Sequence, residues 1–366
     1  MKVALVYDWI HTFGGAERVL IELYNLFPNA ELFTSVYDRV NAPWAKLFKV
    51  TTSFLQKIPF AASHHELFPL LTPMAFENFV FDGFDLVISV TSSDAKGIIT
   101  KPGILHVCYL LTPTRYLWSH KDFYLSNPFL KIISSPFVFY LRKWDSLAKA
   151  RPDHLISISK TVKERTMKFY KRECDIIYPP VSVDKFIKRK SLNKTGDYFL
   201  VVSRLVPYKR VDLVIYACNK LNLPLVIIGT GRQEFFLKTI AGPTVTFLKN
   251  LTDNELISYY QNCRALIMPS EEDFGIVSVE AQAAGKPVIA YGEGGARETI
   301  KEDITGIFFQ KQNINSLIKA ILKFEKTSFS KQDCQKNSKL FSRERFRREF
   351  YSLIINYRDR YFNTIN

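Results

Sequence analysis

Short apolar runs recur along this chain without polar alternation, and each is followed by a helix-length segment with apolar positions every three to four residues. One series comprises Val3–Tyr7, Leu32–Val36, Leu86–Val90, Leu105–Leu110 and Leu155–Ser159. A second comprises Phe199–Ser203, Leu225–Ile228, Val245–Leu248, Ala265–Met268 and Val288–Tyr291. Runs that stay apolar on both alternate positions are the mark of parallel strands buried on two faces. Strand–helix–strand repetition predicts doubly wound α/β units. Two series predict two Rossmann-like parallel-sheet domains facing across a cleft, with ligand bound at the carboxyl ends of the strands.

The series part at "IIYPPVSVDKF", Ile176 to Phe186. Pro179 and Pro180 extend the chain and push each preceding residue out of helix. A polar stretch, Lys188 to Asp197, follows. The expected organisation is a first domain over residues 1–180, a second over 181–341, and a closing helix within 342–366. Ser342 can cap that helix and Glu344 suits its positive end. Phe346, Phe350, Leu353, Ile354, Tyr357 and Tyr361 form one apolar stripe, which needs a surface to pack on. The first domain is the expected surface.

Composition narrows the function. A chain of 366 residues, 47% apolar, can build two cores. The net charge of +15 favours phosphate-bearing partners: nucleotides, anionic lipid or nucleic acid. RNA-recognition, zinc-finger and helix-turn-helix signatures are absent, so nucleic acid is not expected. The five cysteines form no CxxC pair, which argues against a disulfide framework and a structural zinc site and suits a reducing cytoplasm. His64-His65 lacks further ligand spacing, so no metal is expected. The first apolar run is broken by Asp8 and is too short and polar for a signal peptide. The stretch Phe129 to Leu141 contains Lys131 and Pro136 and is too short to span a bilayer. Beyond it, Phe137, Leu141, Trp144 and Ala148 form one stripe, with Arg142, Lys143, Lys149 and Arg151 nearby. An ordinary sheet-packed helix is the plainer reading, and the cations leave room for weak membrane contact.

The most informative stretch is "SEEDFGIVSVEAQAAGKPVIAYGEGG", Ser270 to Gly295. Glu272 and Glu280 stand eight residues apart around a Phe-Gly step. They could be an acid/base pair, a ligand cradle or solvated helix caps. At ~1.5 Å rise per residue, eight helical residues span roughly 12 Å. Carboxylates that flank one scissile glycosidic bond sit about 5–9.5 Å apart. Two acids holding different parts of an elongated ligand fit better. Backbone N–H groups at Phe274, Gly275 and Ile276 open the predicted helix and suit an anion. Glu280 lies within an otherwise apolar helix, which weakens the solvated reading.

Further candidates follow other strands. In "VVSRLVPYKRVDL", Arg204 and Lys209 sit in a turn where they could hold a diphosphate and stabilise it as a leaving group; an exposed basic loop is the bland alternative. "YDWIHTFGGAER" puts Gly14 and Gly15 after the first strand, where backbone can approach a ligand. It is not G-x-G-x-x-G, so dinucleotide binding is disfavoured. "IIGTGRQE" reads as a tight turn. In "HVCYLLTPTRYLWSH", His106 reads as structural, whereas Arg115 and Tyr116 follow the strand as possible site residues. His11 and His120 are loop candidates.

Taken together these segments resemble glycosyltransferase family 4. "EEDFGIVSVEAQAAGKPVIAYGEGGARET" is similar to its E-x7-E donor signature, "SRLVPYKRVDL" to its diphosphate turn, and "GGAER" and "IYPPV" also match. "TPTRYLW" resembles a bacterial mannosyltransferase-like subgroup. The resemblance runs in order over almost the whole chain. It implies the GT-B fold, retaining transfer from a nucleotide sugar, and no essential metal or cofactor. It implies that Glu280 binds ribose, Glu272 the donor sugar, and Arg204 and Lys209 the diphosphate. Phe274, Gly275 and Ile276 would present backbone, and Gly14 and Gly15 would approach from the first domain. GDP-mannose is favoured over UDP-sugars as donor. The expected acceptor is a growing cell-surface glycan, lipid-linked or free, met in the cytoplasm or at the inner membrane face. One departure is "YLLTP": Leu111 stands where the subgroup commonly has a histidine. A nucleotide-sugar epimerase of the same fold, and a basic membrane or nucleic-acid adaptor, are the alternatives.

Overall fold

In the computed structural model, which describes residues 1–118, 128–188 and 196–365, every apolar run of both series forms a strand. The first sheet contains β1 (Val3–Tyr7), β2 (Glu31–Thr34), β3 (Val50–Thr52), β4 (Leu86–Thr91), β5 (Leu105–Leu110), β6 (His154–Ser157) and β7 (Asp175–Ile176). Its order is β3-β2-β1-β4-β5-β6-β7, with every pairing parallel. The second contains β8 (Phe199–Val202), β9 (Leu225–Ile228), β10 (Val245–Leu248), β11 (Leu266–Met268), β12 (Val288–Tyr291) and β13 (Gly306–Phe309). Its order is β10-β9-β8-β11-β12-β13, again parallel. These are the two Rossmann-like parallel sheets that the pattern predicts. Strands β3, β7 and β13 escape the pattern. Each lies at a sheet edge, where a strand has one neighbour and needs less apolar sequence.

The chain divides into two compact units, Met1–Tyr178 with Phe346–Asn366, and Pro179–Arg345. In the first, the central strands β1, β4 and β5 are buried at every position. The last helix, Arg343–Ile365, starts as its sequence predicts, with the Arg345 N–H donating to the Ser342 hydroxyl at 3.3 Å. Phe346, Phe350 and Ile354 are fully buried. The Phe346 and Phe350 rings lie 5.9 and 6.0 Å from that of Tyr109 on β5, and Tyr357 stacks on His154 at 3.8 Å. The helix Pro128–Ala148 departs from expectation. Leu141, Trp144 and Ala148 are buried, but Phe137 is half exposed, as are Phe139 and Tyr140. The stripe meets the core from Leu141 onward.

Polar groups also hold the first unit together. Asp8, which interrupts the first apolar run, is buried at the end of β1. Its carboxylate accepts the Thr91 hydroxyl at 2.7 Å and the N–H groups of Ser92, Ser93, Asp94 and Ala95 at 2.8 to 3.1 Å. Burial raises its pKa and these bonds oppose the rise. Beneath the same loop, Lys96 pairs with Asp145 at 2.6 Å, both fully buried. Thr114 and Trp118 donate to Asp145 at 2.8 and 2.7 Å. Burial alone would lower the pKa of Lys96, but Asp145, Tyr170 and Asp94 outweigh it and hold the ammonium charged.

Strand order locates the places where a ligand can enter. In each sheet the order reverses once, between β1 and β4 and between β8 and β11. Flanking loops diverge there, leaving a crevice at the carboxyl ends of the strands.

Candidate functional site

At the reversal in the second sheet, the loop after β8 carries Arg204 and Lys209, and the loop after β11 carries Glu272. The structure brings two of these together: the Lys209 ammonium forms an ion pair with Glu272 Oε1. The same oxygen accepts the Ser270 hydroxyl at 2.6 Å. Lys209 and Glu272 keep 14% and 18% of their side-chain surface, so the pair is sheltered yet reachable. Arg204 is exposed, and its guanidinium contacts the Tyr208 hydroxyl and lies 6.0 Å from that ring. Lys209 lies 5.3 Å from the same ring. Tyr208 thus lies close to both cations.

Local backbone explains the helix that follows. Gly275 adopts φ +86°, a left-handed conformation that a Cβ would strain, and caps the helix Ile276–Ala283. The Ser278 hydroxyl donates to the Gly275 carbonyl at 2.7 Å. Phe274 turns its ring into the core against Phe341, 5.4 Å between centroids. Its backbone is therefore the part that can meet a ligand. Ile276 is half-buried as the first helical residue. Glu280 is 3% exposed and accepts the Tyr260 hydroxyl at 2.9 Å. Glu272 and Glu280 thus have separate partners, and Glu272 precedes the helix.

The glycines after β12 serve this loop directly. The Gly295 N–H donates to the Glu272 carbonyl at 2.7 Å. A Cβ on Gly295 would stand 2.4 Å from the Phe274 Cα. These glycines let two backbones touch and so hold Glu272 in place. The tight turn "GTG" has a similar reason: a Cβ on Gly229 would lie 1.9 Å from the Ser203 carbonyl oxygen.

In the first unit, Gly15 opens the helix Gly15–Leu26 and Gly14 caps it. The Gly14 N–H donates to Glu17 at 2.8 Å, and the Tyr7 hydroxyl donates to the same carboxylate at 2.6 Å. Arg115 begins the short helix Arg115–Trp118 after β5. Tyr116 turns its hydroxyl towards Ser93, and burial raises its pKa well above the usual value. Leu111 is half-buried, its N–H bound to the Thr91 carbonyl at 2.8 Å. His106 is buried on β5, 2.9 Å from the Ser89 hydroxyl, and burial pushes its pKa down to about 3. His120 lies outside the described residues, as does most of the polar stretch after Lys188. His11 stands 3.8 Å from Asp38 and its ring is 6.1 Å from that of His65, which stacks on Trp9 at 4.2 Å. Burial pushes His65 down to about 4, so it is neutral near pH 7.

Sequence reasoning missed Ser270, Tyr208 and Tyr260. The first two lie inside the quoted motifs and were legible by position. Tyr260 is twenty residues from Glu280 on another helix, and only folding joins them. Among the described residues, no group of three or more His, Cys, Asp or Glu is placed to hold a metal ion. No described helix is long and apolar enough to cross a membrane.

Comparison with known proteins gives this geometry a family. Residues 182–341 match the model of the family described as Glycosyl transferases group 1. An uncharacterized glycosyltransferase of Methanocaldococcus jannaschii is 30% identical over 205 residues, 54% of this chain and 56% of that protein. A GDP-mannose-dependent monoacylated alpha-(1-6)-phosphatidylinositol monomannoside mannosyltransferase of Corynebacterium glutamicum is 32% identical over 162 residues, 39% of this chain and 42% of that protein. The chain thus spans about half the length of these curated relatives. Anabaena HepE, solved in complex with UDP, superposes with a TM-score of 0.73 at 17% identity, covering 97% of this chain and all of that one. The matched segment contains Arg204, Lys209, Glu272 and Glu280, so the E-x7-E stretch lies within a group 1 glycosyltransferase segment, in keeping with the family 4 resemblance, and the chain has the GT-B fold of two Rossmann-like domains.

Proposed function

We propose that this chain is a retaining glycosyltransferase that moves a hexose, mannose first among them, from a nucleotide sugar to a growing cell-surface glycan. The observation that carries the proposal is the meeting of Lys209 and Glu272 at the β8/β11 reversal, beside a glycine-capped helix start. A cation, a carboxylate and a helix start suit a diphosphate joined to a sugar. On this reading Arg204 and Lys209 neutralise the diphosphate, Glu272 receives sugar hydroxyls and Glu280 the ribose. The acceptor hydroxyl attacks the anomeric carbon as its bond to the diphosphate breaks. The electron pair leaves with the phosphate oxygen, which takes the acceptor proton, so no protein base and no resident metal or cofactor is required.

The corynebacterial relative's name supports GDP-mannose and a lipid acceptor, while HepE was solved with UDP, so the base must be tested. Exposed Phe137, Phe139 and Tyr140 beside Lys143 support contact with the inner face of an anionic membrane. At the β1/β4 reversal the nearby cation Lys96 is already paired, and Trp9, His11 and His65 suit a neutral sugar acceptor. A thermal-shift panel of GDP- and UDP-sugars tests the donor role. At least one should raise the melting temperature of the wild type, and Glu280→Ala should lose most of that rise. Equal shifts in both proteins would remove Glu280 from the site. An epimerised nucleotide sugar formed without acceptor would replace transfer with epimerisation.

A further inference from the structure

Lys209 and Glu272 are assigned to different parts of one ligand, yet in the structure they hold each other. We infer that this ion pair is a selectivity device: Glu272 competes with phosphate for Lys209, so the site retains an intact nucleotide sugar and releases the spent nucleoside diphosphate. This inference rests on the donor-site reading above and adds to it.

The argument is one of charge and partner exchange. Glu272 Oε1 is occupied by Lys209 and by the Ser270 hydroxyl, which keeps the carboxylate at the crevice when the cation leaves. A sheltered carboxylate stripped of its partner is costly unless another donor replaces it. A nucleotide sugar supplies both replacements. Its diphosphate takes Lys209, and sugar hydroxyls donate to Glu272. A nucleoside diphosphate supplies only one. It takes Lys209, offers Glu272 no donor in its place, and carries an additional terminal charge where the sugar had been. Like charges then face each other in a crevice with little water to screen them. The product must surrender Lys209 or tolerate that repulsion, and either weakens its hold. Tyr208 favours the exchange, because the Lys209 ammonium is already 5.3 Å from its ring and need not travel far.

The test compares GDP and UDP with GDP-mannose and UDP-glucose by calorimetry on the full chain. The proteins are wild type, Glu272→Gln, Lys209→Met and the double variant, each first checked for an unchanged melting curve. Glu272→Gln should bind the preferred nucleoside diphosphate about tenfold more tightly than wild type, about 1.4 kcal/mol. It should not gain affinity for the nucleotide sugar, and it should show stronger product inhibition. In the Lys209→Met background the same glutamine should change nucleoside diphosphate affinity little. Equal or weaker diphosphate binding by Glu272→Gln, with normal binding by wild type, would overturn the inference and leave the donor site standing. Failure of wild type to bind any of the four nucleotides at millimolar concentration would overturn the donor-site reading and this inference with it.

Discussion

Gly295 shows how one absent side chain shapes the site. With its Cβ position 2.4 Å from the Phe274 Cα and 2.5 Å from the Phe274 carbonyl oxygen, no rotamer change makes room for alanine. The backbone of Phe274 must move, and with it Glu272, whose carbonyl accepts the Gly295 N–H. Gly295→Ala should cost about 1–3 kcal/mol of stability, the usual range for overpacking. It should also weaken nucleotide-sugar binding without touching any ligand-facing side chain. Urea unfolding and a binding isotherm on the same preparation check both effects. In sequence the glycine pair after β12 is only part of the Gly-rich end of the donor stretch. The structure assigns Gly295 to a backbone contact, a distinction that needs the two segments in space.

The buried loop after β4 shows the same effect at the level of elements. Asp8 gathers four backbone N–H groups from the loop, and Lys96 is locked to Asp145 on the helix Pro128–Ala148. The loop thus ties the end of β1 to β4 and to that helix. Asp145→Ala should destabilise the protein by about 3–5 kcal/mol, because Lys96 is left buried and unpaired. Replacing both, as Lys96→Met with Asp145→Leu, should cost less than Asp145→Ala alone, as urea unfolding midpoints of the three variants would reveal. Asp8 was legible only as a break in an apolar run. Its partners lie more than eighty residues away, beyond any local pattern.

Across the whole molecule, the last helix starts beside the crossover at Pro179–Val181. The Val181 N–H donates to the Phe341 carbonyl at 2.9 Å, and from Phe346 onward the helix belongs to the first unit. Both chain crossings are thereby tied together. Phe350 is fully buried against Tyr109 of β5. Phe350→Ala should cost about 3–5 kcal/mol. If the second unit unfolds separately, the loss should appear in the transition of the first unit, and nucleotide-sugar binding per folded molecule should be little changed. Calorimetric unfolding with and without nucleotide resolves the two.

Sequence by itself determined the two parallel sheets, the last helix's apolar stripe and the cation and carboxylate loops. Each follows from local rules: continuous apolar runs, helical periodicity and polar residues just past a strand. The family resemblance carried the same residues into a donor site. Tertiary structure alone decided which of them meet. Lys209 and Glu272 are sixty-three residues apart and touch because β8 and β11 are neighbours in the sheet. Gly295 braces Glu272 because β11 and β12 are also neighbours, and Tyr260 reaches Glu280 between the helices that precede and follow β11. Strand order sets these encounters, and it is a property of the folded sheet that short-range pattern does not encode.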